Sequence, residues 1–289
     1  MSITMSGKLF GLVLGRVLAG IISTFASWRD TFWLAVGLQT GMTGLLWLTL
    51  PDMPDKDIGL SYFGVLVSMG KFMVTNPTLV QACVIAFLNS LVFAGFWTTL
   101  TFLLSDPPYH YSSLDIGLIG LLAIIGALFA PQCGRLIDRV VPWLGQFLGL
   151  AVSLIAMIIA LLAAQLNISA IIISIVLFDM GQQLWAVSAA YRIAGIDPKA
   201  RARLNGCYLV SIFAGQTSGT AIMARLYTGY RRRSTGGGMV TFAGVALGVL
   251  LIRGRHEGNW VGWRGGRKLW RRERLTDLTA ACYDREAGQ

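Results

Sequence analysis

Long apolar runs alternate with short breaks carrying charge, proline or asparagine along most of the 289-residue chain, and runs of 18 or more largely apolar residues recur. That period matches a membrane crossing, because about 20 helical residues span the roughly 30 Å hydrocarbon layer. Backbone polar groups in lipid must be satisfied within the segment, so each run is predicted as helix. Eight spans are predicted, approximately Leu9–Ala26, Phe32–Leu50, Thr78–Leu104, Leu114–Cys133, Trp143–Ala164, Ile168–Tyr191, Leu204–Leu226 and Gly237–Ile252. The last is the shortest and is rich in glycine. Only Ser27 to Thr31 separates the first two, which makes them a tight antiparallel hairpin. Pro51 to Pro77 is the longest interruption before the tail. It opens with Asp52, Asp55, Lys56 and Asp57 and continues as an apolar piece, Ile58–Val74, broken by three glycines. That piece is predicted to lie on the membrane surface rather than to cross it.

Composition strengthens this picture. Hydrophobic residues make up 55% of the chain and charged residues 13%, against about 25% charged in soluble domains, which excludes an ordinary soluble domain. Eight spans of about 20 residues use about 160 residues and leave room for loops and a tail. The net charge of +10 raises the question of nucleic acid, but the distribution answers it with membrane topology. Eighteen Lys and Arg fall on one side of the alternating spans and five on the other, with Arg16 inside the first span. The richer side is predicted to be cytoplasmic, together with both termini. Arg231, Arg232 and Arg233 are the exception to the bias. The segment from Arg253 to Gln289 adds nine basic residues and Trp260, Trp263 and Trp270, which suits either a surface segment at the inner leaflet or a disordered terminus.

Candidate chemistry is sparse. Cys83, Cys133, Cys207 and Cys282 have no paired spacing and imply neither a disulfide framework nor a metal site. His-Glu-x-x-His, Gly-x-Ser-x-Gly and phosphate-loop patterns do not occur, so no enzyme and no cofactor is implied. Ionisable groups in mid-membrane cost roughly 2.5 to 3.5 kcal/mol and default to functional candidates. Asp179 is central in the sixth predicted span, with Gln182 and Gln183 on the next turn, so Asp179 and Gln183 share a face. Asp179 is a candidate proton carrier or cation ligand, or else a structural carboxylate. Arg16 is a candidate anion partner. Asn89 and Trp97 offer polar and aromatic contacts in the third span, although aromatic residues at helical spacing also serve as packing.

Several motifs then occur in order. Gly7, Gly11, Gly15 and Gly20 put small residues along one face of the first span, where another helix can approach at backbone distance. That span runs into Trp28-Arg29-Asp30-Thr31-Phe32. Gly134-Arg135-Leu136-Ile137-Asp138-Arg139 closes the fourth span, and Gly195 to Arg203 is a basic connection followed by Asn205-Gly206. Together these resemble helices five to twelve of the major facilitator superfamily, with the drug or small-solute transporters as the nearest type. Position 16 is Arg where the family's antiporter form has Pro, and Val141-Pro142-Trp143 replaces the second half of the family's Gly-x-x-x-Asp-Arg loop.

The resemblance implies an all-α, polytopic bundle, a partial form of the family's fold lacking its first four helices. It divides the chain into a two-span remnant (1–50), a central cytoplasmic loop (51–77), a six-span bundle (78–252) and a basic tail (253–289). It further implies alternating-access transport of an unidentified small solute, coupled to protons or another gradient, with Asp179, Gln182, Gln183, Asn89, Trp97 and Arg16 along the pathway. Gly134, Arg135, Asp138 and Arg139 would form the cytoplasmic loop motif, and Gly11, Gly15 and Gly20 the helix-packing face. A truncated membrane protein that does not transport, or an incomplete gene model, is the alternative.

Overall fold

The computed structural model describes residues 11–50 apart from 12, 13, 16 and 23, and then 62–122, 130–163, 167–196 and 200–252. Among these the regular elements are helical. They are α1 (the helical residues within 11–25), α2 (Trp28–Thr49), α3 (Tyr62–Thr75), α4 (Pro77–Ser105) and α5 (Ser113–Ile119, continued by a 3-10 turn at Gly120–Leu122). There follow α6 (Ala130–Arg139), α7 (Pro142–Ala163), α8 (Ile168–Ala194) and α9 (Arg201–Leu251).

Local chemistry sets several starts. Ser27 and Asp30 form a capping box at α2, with the Asp30 carboxylate accepting from the Ser27 N–H at 3.0 Å. Ser112 and Asp115 do the same for α5. Pro77 and Pro142 open α4 and α7, where a missing N–H removes no intrahelical bond.

Helical backbone runs through all 51 residues of α9, which as a straight rod would be about 76 Å long. It is not a rod. Leu204 and Leu250 lie in one hydrophobic cluster with Leu79, Trp143 and Ile193, while Met223 and Met239 lie in a second with Leu100, Met157 and Ile175. The chain therefore reverses between Leu226, whose side chain reaches Gly238, and the returning run to Leu251. The seventh and eighth predicted spans are the two arms of this hairpin.

The two clusters mark the two ends of the bundle. The outgoing arm of α9 runs parallel to α4, with Gly215 and Gly219 against the carbonyls of Phe87 and Leu91. A side chain at either glycine would collide with backbone, so this Gly-x-x-x-Gly pair sets how closely the helices approach. α8 packs on α7 in the same manner through Gly149 and Gly181.

Three helices among the described residues are both long and apolar enough to cross a membrane, namely α4, α7 and α8, where eight were expected. α2 has 22 residues, but Gln39, Thr40, Thr43 and three glycines dilute it. The returning arm Thr235–Leu251 is apolar but shorter. Residues 123–129, in the middle of the fourth expected span, lie outside the described residues. The segment Gly134–Arg139, expected as a loop, is instead the end of α6, and only Val140 and Val141 separate it from α7. The start of the central loop and the basic tail also lie outside the described residues.

Glycines of the first span divide. Gly20 is buried, with the Ser113 carbonyl 3.0 Å and the Gly117 Cα 3.2 Å from where its Cβ would stand. Gly11 and Gly15 face open space, because no described element lies beside that part of the helix. Neither touches another helix among the described residues.

Candidate functional site

The middle of the bundle carries polar side chains from three helices. Asn89 lies 12 residues into α4, about 18 Å from its start, and Ser153 and Gln182 are likewise central in α7 and α8. Asn89 and Gln182 form a reciprocal amide pair. Asn89 Nδ2 donates to Gln182 Oε1 at 2.7 Å, and Gln182 Nε2 donates to Asn89 Oδ1 at 3.1 Å. Gln182 Nε2 also donates to Ser153 Oγ at 3.3 Å. Gly149 and Gly181 make this reach possible, since the missing side chains let α7 and α8 touch at backbone distance. All three polar residues are buried, as is Asp179, one turn before Gln182.

An aromatic stack closes one side of this layer. Phe96, two turns beyond Asn89, stacks on Phe178 at 4.2 Å between centroids, and Trp97 meets Phe96 edge-on at 5.9 Å. On the other side comes an apolar layer that includes Ile85, Leu150 and Trp185, and then a second polar layer.

That second layer uses the same three helices. Arg192 donates from Nη2 to Gln81 Oε1 at 2.6 Å and from Nη1 to Gln146 Oε1 at 3.2 Å. Gln81 Nε2 donates to the carbonyls of Val249 and Ile252, and Trp143 Nε1 to that of Leu250. These are carbonyls at the end of α9 that the helix itself leaves without donors.

The sequence-predicted residues are thus partly gathered. Asn89, Gln182 and Asp179 are buried in the middle of the bundle, and Gln183 and Trp97 are half-buried. Asn89 bonds Gln182 rather than the neighbouring Gln183. Arg16 lies outside the described residues, as do the side chains of Asp138 and Arg139. Gly134 faces open space and Arg135 is exposed. Sequence reasoning missed Ser153, Gln81 and Gln146, and it placed Arg192 in a loop. The signal was present as register: Gln81 precedes Asn89 by eight residues and Gln146 precedes Ser153 by seven, so each pair lies on one helical face. Among the described residues no group of three or more His, Cys, Asp or Glu is placed to hold a metal ion.

Comparison with known proteins bears on what this arrangement serves. The family model described as Major Facilitator Superfamily matches residues 1–194. An uncharacterized transporter, YgaY, of Escherichia coli O157:H7 is 32% identical over 255 residues, covering 88% of this chain and 64% of its own length. A probable sugar efflux transporter of Helicobacter pylori strain 26695 is 26% identical, covering 85% of this chain and 60% of its own. This chain therefore spans somewhat less than two thirds of the length of these curated relatives. In fold, the crystal structure of the nucleoside transporter NupG is similar, with a TM-score of 0.61 at 14% identity over 84% of this chain and 64% of that one. With a family model matched over two thirds of its length and an all-helical bundle of apolar spans, the chain belongs to the major facilitator superfamily and is a multi-pass membrane protein.

Proposed function

We propose that the chain forms the larger part of a transporter that moves a small, neutral, hydroxyl-bearing solute by alternating access, with Asn89, Gln182, Gln183 and Ser153 as its contribution to the binding face. The observation that carries the reading is the amide pair joining α4 to α8 in mid-bundle. Each amide has both donors and acceptors. A hydroxyl-rich solute can therefore replace the pairing when α4 and α8 separate, without leaving a buried polar group unsatisfied. The name of the Helicobacter pylori relative supports the sugar class. Asp179 beside the pair is the proton-coupling group, Trp97 a stacking surface at the rim and Arg16 a candidate partner from the first span. In this reading Gly134, Arg135, Asp138 and Arg139 act at the cytoplasmic end, residues 1–50 belong to the first bundle and 78–252 form the second, with 51–77 and 253–289 on the cytoplasmic side.

Purified protein in liposomes tests this with a panel of radiolabelled sugars and nucleosides, with and without an imposed pH gradient. Uptake of one class that depends on Asn89 and Gln182 supports the site, and dependence lost in Asp179→Asn supports the coupling. Uptake unchanged in Asn89→Leu and Gln182→Leu refutes the site.

One observation favours a second reading, a membrane protein that does not transport by itself. α2 is exposed from Phe32 to Thr49, including Trp33 and Trp47, and its glycines Gly37, Gly41 and Gly44 have no described neighbour. Folded protein that moves no solute in the same assay supports this reading over the first.

A further inference from the structure

Cys83 and Cys207 are far apart in sequence, with no spacing that suggests a shared ligand, and folding brings them to one helix contact. α4 and the outgoing arm of α9 run parallel. A Cβ at Gly215 would stand 3.0 Å from Phe87 Cα, and one at Gly219 2.8 Å from Leu91 Cα. The register therefore sets 87 opposite 215 and 91 opposite 219. One turn earlier Cys83 lies opposite Ser211, and one turn before Ser211 on the same face of α9 is Cys207.

Polar contacts link the two thiols. Ser211 Oγ donates to the Cys207 carbonyl at 3.1 Å. Its one hydroxyl proton is thereby used, so in its bond with the Cys83 thiol Ser211 is the acceptor. The two thiols also lie close enough to interact electrostatically. Cys207 Sγ in turn lies 3.7 Å from the Met69 carbonyl. Cys83 is 3% and Cys207 6% accessible. Both belong to one apolar cluster, against which Met69 and Met73 pack.

The surroundings narrow the ligand. Among the described residues no group of three or more His, Cys, Asp or Glu is placed to hold a metal ion, so the four-coordinate set of structural zinc is not supplied. Sulfur donors alone select soft ions. An apolar setting penalises net charge, and two thiolates around a divalent cation are neutral. A one-turn offset, about 6 Å along the helix axes, is wide for a disulfide, whose Cβ atoms stand roughly 3.5 to 4.5 Å apart. An ion inserted between the sulfurs spans that gap.

We propose that Cys83 and Cys207 form a two-thiolate site for a soft divalent d10 cation, joining α4 to the outgoing arm of α9. Each thiol gives its proton to solvent and forms one sulfur–metal bond, so two protons leave and the adduct carries no net charge. The Met69 thioether, packed against Gly206 beside Cys207, adds a soft donor at the rim. The site is independent of any transport.

The full chain in detergent, with Cys133→Ser and Cys282→Ser removing the other thiols, tests it with mercuric chloride followed by excess glutathione. One mercury per chain is expected to remain by elemental analysis. About tenfold less is expected after Cys83→Ala or Cys207→Ala, because one thiol lacks the second, intramolecular ligand. The melting temperature is expected to rise with mercury only where both thiols are present. X-ray absorption of the mercury adduct is expected to show two sulfur neighbours per ion, a readout that does not depend on either alanine variant folding. Equal retention by the single-thiol chains, one sulfur neighbour, or no mercury retained overturns the site. A disulfide between positions 83 and 207 in metal-free protein overturns the spacing on which the ion rests.

Discussion

The two polar layers of the bundle use the same three helices and opposite chemistry. In mid-bundle, Asn89, Ser153 and Gln182 are neutral and bond one another. Nearer the helix ends, Arg192 draws Gln81 and Gln146 together, and Gln81 with Trp143 holds the last carbonyls of α9. The outer layer spends its bonding capacity on the backbone of another helix and is structural. The inner layer spends it on groups that can exchange partners. A formal charge is affordable where water lies close, whereas neutral amides suit the depth at which an ion costs most. The difference separates a clamp from a candidate site by partner type rather than by position.

Five substitutions break or sharpen this contrast. Gly181→Leu is expected to act most strongly, because even a Cβ there stands 2.5 Å from Ser153 Oγ and 2.7 Å from the Gly149 carbonyl. Loss of monodisperse protein on size exclusion in detergent is the expected result. Next, Asn89→Leu leaves the buried Gln182 amide with only its bond to Ser153 and is expected to cost about 1 to 3 kcal/mol of stability. Adding Gln182→Leu should recover most of that in a thermal-shift assay, since two apolar groups can face each other, while solute uptake stays lost. Recovery of uptake along with stability would show the inner layer to be structural, like the outer one.

Gln81→Leu frees the Val249 and Ile252 carbonyls near the bundle end, where water can take over. About 1 kcal/mol is expected, with hydrogen exchange rising at the end of α9 and the KM for the solute unchanged. Ser153→Ala removes only a 3.3 Å bond and is expected to cost under about 1 kcal/mol, near the average of roughly 0.6 for such bonds between membrane helices.

Element ends were legible wherever an apolar run met a proline or a polar residue. The expected Thr78–Leu104, Trp143–Ala164 and Ile168–Tyr191 agree with α4, α7 and α8 to within three residues. The reversal inside α9 was legible as well, since the expected Leu204–Leu226 and Gly237–Ile252 are its two arms. Asp179, Gln182 and Asn89 were readable as polar residues deep in apolar runs. Which of two adjacent glutamines meets Asn89 was not, because one helix viewed alone does not say which face its neighbour occupies. Charge misled at Arg192, which reads as loop yet ends α8 with its guanidinium held by two buried or half-buried glutamines. In the small-residue motifs, spacing on one helix does not name the partner: among the described residues Gly215 and Gly219 make backbone contact, with Phe87 and Leu91.

The hairpin in α9 also fixes a parity. Leu204 and Leu250 belong to one end of the bundle, so an even number of passages separates residue 201 from residue 252. A protease site or a fluorescent tag placed after Ile252 will report the same compartment as one placed between α8 and α9.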